Sequence, residues 1–167
     1  MAENSTPGIW RQVVPALLAG VVFAIFHYVS SEIFVSPTIY YVGSAEYGWR
    51  NSNPAIEFWH NTLWLAVGIA VSLVLGLMSK SIVVALLRGS LFGIIAMLSS
   101  DLFRNLENLS EPGSMGWLLL ALPILFMMSL APAAVCTLVS AIGYGGKRLL
   151  KKRTESSNLA KPNDLVH

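Results

Sequence analysis

The sequence predicts an all-α integral membrane protein, a four-transmembrane-helix bundle built from two tandem parallel helical-hairpin repeats, with the N- and C-termini both inside. The 167 residues are 54% hydrophobic and only 12% charged, with a mean hydropathy of +0.62. Soluble domains carry about 25% charged residues, so a soluble class is excluded. Four apolar stretches are long enough for a hydrocarbon layer of about 30 Å, which takes about 20 helical residues. The first and third stretches also resemble each other.

The four predicted spans cover roughly residues 11–34, 57–79, 81–103 and 116–145. Helices are expected because so few segments cannot close a membrane barrel. The short link 78–81 predicts a tight antiparallel hairpin of the second and third helices. The N-terminal segment has no basic n-region and no cleavage site, so we expect the first span to be retained. Residues 1–153 are predicted to form one membrane domain, and the polar residues 154–167 a disordered cytoplasmic tail.

The repeat is carried by residues 16–34 and 85–103, which share an apolar helix with a Ser-Ser-acid-apolar-Phe ending. A second similarity follows each copy of this segment: a Pro near a predicted helix start is followed by a Trp. These residues are Pro54 with Trp59 and Pro112 with Trp117. The repeats therefore cover about 11–80 and 81–147. Both copies start on the same side, so they are predicted to be parallel about an axis along the membrane normal. The identical pairs are Ala16/Ala85, Leu17/Leu86, Leu18/Leu87, Gly20/Gly89, Phe23/Phe92, Ile25/Ile94, Ser30/Ser99, Ser31/Ser100 and Phe34/Phe103.

The distribution of basic residues predicts the orientation and the compartment. Loops rich in Lys and Arg stay in the cytoplasm, so both termini are expected there, in a multi-pass protein of the inner (cytoplasmic) membrane. A basic cluster at the end of the fourth span is predicted to contact anionic lipid headgroups. The net charge of +2 comes from this tail and not from a basic face, so nucleic acid is not an expected partner. The cluster comprises Lys147, Arg148, Lys151, Lys152 and Arg153.

Small residues at four-residue spacing predict close helix packing, because they let backbones approach each other in a membrane. We expect the faces repeated in the two copies to meet across the pseudo-axis. The fourth span carries Pro123 and Pro132, which indicates a kinked helix with either a packing or a gating role. The predicted packing positions are Gly20, Gly68, Ser72, Gly76, Gly89 and Gly93.

Polar residues gather at the predicted outer helix ends and suggest a polar vestibule there, since ionisable groups at membrane depth usually face protein or water. The alternative is that these helix ends are merely interfacial. His27 is an informative break in the repeat because Ala96 holds the equivalent position, which leaves space for the ring or for a ligand. The vestibule residues are His27, Ser30, Ser31, Glu32, Glu57, His60, Asn61, Ser99, Ser100, Asp101 and Arg104.

No catalytic residue and no cofactor is predicted, because the sequence carries no recognisable catalytic motif or metal-ligand spacing. A haem between His27 and His60, or a metal bound by them, is the alternative. The single cysteine, Cys136, is expected to be a buried structural thiol.

The first function predicted is that of a small, non-enzymatic accessory or interaction subunit of a membrane assembly. A homo-oligomeric channel or transporter for a small cationic solute, using an acidic outer vestibule, is the alternative. A haem- or metal-binding membrane protein is the second alternative. The expected partners are the lipid bilayer and either further copies of the chain or other membrane subunits.

Overall fold

The computed structural model describes residues 8–38, 40–42, 49–51, 53–105 and 114–159. Four helices in these ranges are long and apolar enough to cross a membrane, so the predicted multi-pass helical architecture is confirmed. The helices are α1 (Ile9–Phe34), α2 (Pro54–Leu77), α3 (Ile82–Asn105) and α4 (Ser114–Leu159).

Residues between α1 and α2 add a short 3-10 turn, Ser36–Thr38, and a small antiparallel pair of strands. The strands are β1 (Tyr40–Val42) and β2 (Trp49–Asn51), and Tyr41 lies opposite Arg50. Aromatic and β-branched residues favour such strands. We call the end of the bundle that carries this connection the hairpin end. The opposite end, where α1 begins and α2 turns into α3, is the terminal end.

Local sequence explains where α2 begins. The side chain of Asn53 accepts a hydrogen bond from the backbone N–H of Ala55 at 3.1 Å, which caps the helix. Pro54 follows at the first helical position, where its missing N–H leaves no bond unmade. The helix therefore starts slightly before the predicted residue 57.

Helix α4 continues past Arg153 to Leu159, so residues 154–159 are helical where the sequence predicted a disordered tail. The hydroxyls of Thr154 and Ser156 do not compete with this helix, because they donate to the carbonyls of Leu150 and Arg153 in the preceding turn, at 3.0 Å each. Lys151 and Glu155 lie one turn apart with Nζ and Oε1 separated by 3.8 Å, a pairing that adds a little helix stability. The rest of the predicted tail, residues 160–167, lies outside the described part of the chain.

The four helices pack unequally. Helix α3 packs extensively on both α1 and α4, and α4 packs on α2, whereas α1 and α2 touch only lightly. Interhelical hydrogen bonds reinforce the α3–α4 pair: the Ser140 hydroxyl donates to the carbonyl of Ala85 at 2.8 Å, and the Ser90 and Thr137 hydroxyls lie 2.8 Å apart. The first helical hairpin is therefore splayed while the second is tight.

The two sequence repeats occupy partly different surroundings. Phe23 and Phe92, which are equivalent positions, do meet, with ring centroids 5.5 Å apart. However, Gly20 lies against α3, where an added Cβ would be 2.9 Å from Ile95, whereas Gly89 lies against α4, where a Cβ would be 2.5 Å from the carbonyl oxygen of Cys136. Equivalent faces of α1 and α3 thus meet only in part.

The crossing of α2 and α4 near the terminal end is more symmetric. A Cβ added to Gly76 would run into the backbone of Ser140, and one added to Gly143 would lie 2.5 Å from the carbonyl oxygen of Leu73. The contact is therefore reciprocal: Gly76 on α2 faces Ser140 on α4, and Gly143, three residues after Ser140, faces Leu73, three residues before Gly76. Each helix therefore offers a bare backbone to the other, which allows the closest approach in this half of the bundle.

Candidate functional site

A cavity of about 410 Å³ lies in the half of the bundle toward the hairpin end, and all four helices line it. Small side chains leave this volume open, with Gly68 on α2 and Gly93 and Ala96 on α3 forming part of the wall. The remaining lining residues are Phe23, His27, Asn61, Trp64, Leu65, Ile69, Phe92, Met97, Ser100, Pro132, Val135 and Cys136.

The mouth of the cavity lies between α2 and α4. Leu65 and Ile69 on α2 are 60% and 40% exposed, and Val135 on α4 is 44% exposed, although all three line the cavity. Residues that both line a cavity and face outward mark its opening. In a membrane-spanning bundle this opening faces the lipid tails, so the cavity connects sideways with the apolar phase.

Polarity changes along the length of the cavity. Asn61 on α2 and Ser100 on α3 contribute polar groups toward the hairpin end, and His27 on α1 lies near them. Toward the middle of the bundle the wall becomes apolar, with residues such as Phe92 and Val135. A molecule that fits this site is therefore amphipathic, with its polar part at the hairpin end.

A hydrogen-bond network centred on Ser30 supports the polar end. The Ser30 hydroxyl accepts a hydrogen bond from Trp64 Nε1 at 2.8 Å, lies 2.8 Å from His60 Nε2 and lies 2.9 Å from the carbonyl oxygen of His27. The hydroxyl has one proton, so when it donates to the carbonyl of His27, it is His60 Nε2 that carries the proton in their shared bond. His60 is only 8% exposed, and this bond satisfies its Nε2. The network fixes Trp64 and His60 in place.

Aromatic rings form one wall of the cavity. Phe23 and Trp64 meet edge to face with centroids 5.1 Å apart, and the rings of His27 and Trp64 do so at 5.6 Å. These separations and angles lie in the range that aromatic pairs favour. Because Trp64 is also held by Ser30, the wall is a preorganised surface.

A Ser30→Ala variant is expected to lower the free energy of unfolding by about 1–3 kcal/mol, because the buried groups of Trp64 and His60 lose their shared partner. Ser99→Ala is the matched control, since Ser99 is half-buried and holds the equivalent repeat position on α3. Thermal unfolding in detergent, followed by fluorescence, compares the two. Equal losses in both variants would show that the network contributes nothing specific.

The structure divides the predicted vestibule. It brings His27, Ser30, His60, Asn61 and Ser100 together at or behind the polar end of the cavity. Two of the predicted acids do not join them. The exposed carboxylate of Glu32 accepts a hydrogen bond from the Ser36 hydroxyl at 3.0 Å, and the exposed Glu57 lies in the first turn of α2. Ser31 and Ser99 are half-buried outside the lining, and the side chains of Asp101 and Arg104 lie outside the described residues.

The remaining predicted site residues take distinct positions. Ser72 is buried on α2, where its hydroxyl donates to the carbonyl of Gly68 at 2.8 Å. The basic cluster projects from the exposed end of α4, and Lys147 Nζ donates to the carbonyl of Ser79 at 3.2 Å. The rest of the cluster, Arg148, Lys151, Lys152 and Arg153, is exposed.

No protein-family model, curated protein or solved structure matches this chain. The site must therefore be interpreted from its own chemistry. The sequence had indicated the polar residues of the cavity but not Trp64. The signal for it was the spacing His60-x-x-x-Trp64, which puts both side chains on one face of α2.

The geometry of His27 and His60 bears on the predicted haem or metal alternative. Their ring centroids are 5.1 Å apart at an interplanar angle of 48°. Two imidazoles that bind one haem iron from opposite sides, each with nitrogen about 2 Å from it, have centroids about 6 Å apart. Among the described residues, no group of three or more His, Cys, Asp and Glu side chains is placed to hold a metal ion. The separation is shorter than that of two axial haem ligands, and a haem or metal bound by these two residues stays a prediction.

Proposed function

We propose that this chain is a non-enzymatic accessory protein of the cytoplasmic membrane, with both termini in the cytoplasm, that binds a lipophilic small molecule. The observation that carries the proposal is the cavity of about 410 Å³ lined by all four helices. This volume lies within the range of about 300–1,000 Å³ that is typical of small-molecule sites. In this role the chain holds its ligand for a larger membrane assembly, formed with other subunits or further copies.

The difference between the two repeats supports a binding role. His27 and Ala96 hold equivalent positions in the repeat, and both line the cavity. The first copy contributes the imidazole ring of His27 to the wall, and the second copy contributes only the methyl group of Ala96. Together with the splayed α1–α2 pair, this asymmetry converts what would be a packed crossing into a site for a ligand.

The positions of Glu32 and Glu57 favour this proposal over a cation pathway. The cation pathway predicted from the sequence uses an acidic vestibule, in which carboxylates line a water-filled wall. Glu32 and Glu57 are exposed at the helix ends and are not among the cavity-lining residues. The terminal half of the bundle is also drawn together where the backbones of α2 and α4 meet at Gly76.

Cys136 offers a direct test because it lines the cavity and is the only cysteine in the sequence. In nanodiscs, N-ethylmaleimide is expected to label wild-type Cys136 from the cavity. Ala96→Leu narrows the cavity and is expected to slow labelling about tenfold, which corresponds to a loss of about 1.4 kcal/mol of reagent binding. Ala66→Leu adds the same side chain on the exposed surface of α2 and is the matched control.

The second arm of this test identifies what occupies the site. Solvent extraction and mass spectrometry of the protein purified from membranes are expected to find a lipophile enriched with wild type and with Ala66→Leu. The Ala96→Leu protein is expected to have lost it. Equal labelling rates and equal extracts for all three proteins would overturn the proposed function.

A further inference from the structure

We infer that the ligand is a planar lipophile whose head group accepts hydrogen bonds, the chemical class of the quinones. Its head group binds near Asn61 and Ser100, and its tail leaves between α2 and α4. This inference rests on the proposed function and specifies the ligand class. It concerns binding alone and involves no electron transfer.

The polar end of the cavity determines the chemistry of the head group. The Asn61 amide carries two N–H donors and the Ser100 hydroxyl one, and both residues line the cavity from different helices. Trp64 Nε1 is already bonded to Ser30, so it is not among the donors offered to a ligand. A carbonyl at this end would gain donors from two helices, whereas a hydrocarbon would leave them without a partner.

The aromatic wall determines the shape of the head group. Phe23, Trp64 and Phe92 all line the cavity, and Phe23 meets each of the other two rings edge to face. A planar ring presents a π face to such a wall and favours centroid separations of about 4.5–7 Å. A flexible acyl chain gains no such contact and loses more conformational freedom on binding. The wall therefore favours a flat ring over a lipid tail.

The mouth determines where the tail lies. The gap between α2 and α4 is bordered by Leu65, Ile69 and Val135, which are apolar and partly exposed. A hydrocarbon tail that passes through this gap stays in contact with apolar surface and continues into the lipid. The ring can then enter from the membrane without crossing water.

The test measures protection of Cys136 in phosphatidylcholine nanodiscs. Decylubiquinone carries the ring, the carbonyls and a tail, and decylbenzene carries a ring and the same tail without carbonyls. We expect decylubiquinone to halve the N-ethylmaleimide labelling rate at about fivefold lower concentration than decylbenzene, the effect of one or two net hydrogen bonds. In the Asn61→Leu/Ser100→Ala variant this difference is expected to disappear. Thr62→Val, which removes a polar group from the neighbouring exposed position, is expected to keep it.

The outcomes separate this inference from the proposed function. Equal protection by the two probes would overturn the quinone class while the cavity remains a lipophile site. Preferential protection that survives in the double variant would overturn the placement of the head group. Protection by neither probe would also overturn the ligand class. If the Ala96→Leu protein then also labelled at the wild-type rate and gave the wild-type extract, the proposed function would fail with it.

Discussion

A Gly76→Ala variant is expected to lose about 1–3 kcal/mol of unfolding free energy, the usual cost of adding a methyl group to a packed contact. Its new Cβ would run into the backbone of Ser140 on α4. A backbone cannot rotate aside as a side chain can, so α2 and α4 must separate instead. Gly143 faces α2 in the same way, so the crossing has no spare room on either side.

Gly145→Ala provides the control for this experiment. It places the same methyl group on α4, but apart from the backbone of its own helix no described atom lies within 4 Å of the added Cβ. Because Ala favours a helix over Gly by about 1 kcal/mol, this variant is expected to be unchanged or slightly more stable. Unfolding in mixed micelles with increasing sodium dodecyl sulfate measures both. If Gly76→Ala were as stable as Gly145→Ala, the two backbones would not approach as closely as the structure places them.

Hydropathy was sufficient to predict the number of helices and nearly all of their ends, because span length is set by the membrane. The start of α2 at Asn53-Pro54 and the short turn before α3 could also be predicted, because each depends on a few neighbouring residues. The extension of α4 to Leu159 was missed because its polar composition was interpreted as a sign of disorder. The helical spacing of Lys151 and Glu155 was the better guide to that segment.

The arrangement of the helices could not be predicted from the repeat. Duplication implies two similar helical hairpins. In the structure α3 packs extensively on α4, whereas α1 packs on α3 and only lightly on α2. The difference depends on a few positions where the copies diverge. One is Arg88, which stands where the first copy has Ala19. A single long side chain at such a position changes which helices are joined.

The candidate site was predictable only in its polar part. His27, Asn61 and Ser100 were selected by their polarity, which is unusual at membrane depth. Phe23, Trp64 and Cys136 were not selected, because apolar residues that face a cavity and apolar residues that face lipid are chemically alike. Only three-dimensional packing distinguishes them.

Arg88→Met is expected to lower the unfolding free energy by about 2 kcal/mol, because it removes a charged hydrogen-bonding group that joins three helices. Arg88 is only 8% exposed on α3. Its Nε donates to the carbonyl of Gln12 on α1 at 2.6 Å, and its Nη1 lies 3.4 Å from both the carbonyl of Leu75 and the hydroxyl of Ser79. A lysine ammonium at this position would reach only one of these partners, so Arg88→Lys is expected to recover part of the loss.

The opposing effect is desolvation, since burying a charge is costly and Met fits a similar volume without one. The hydrogen bonds from this guanidinium to groups on α1, on α2 and in the following turn set the expected sign, because bonds from a charged donor are stronger than neutral ones. Arg11→Met removes an exposed arginine from α1 at the same end and is expected to change stability by less than about 0.5 kcal/mol. Unfolding in mixed micelles compares all three variants. An Arg88→Met protein more stable than the wild type would show that desolvation prevails, and that Arg88 joins the helices at a net cost to stability.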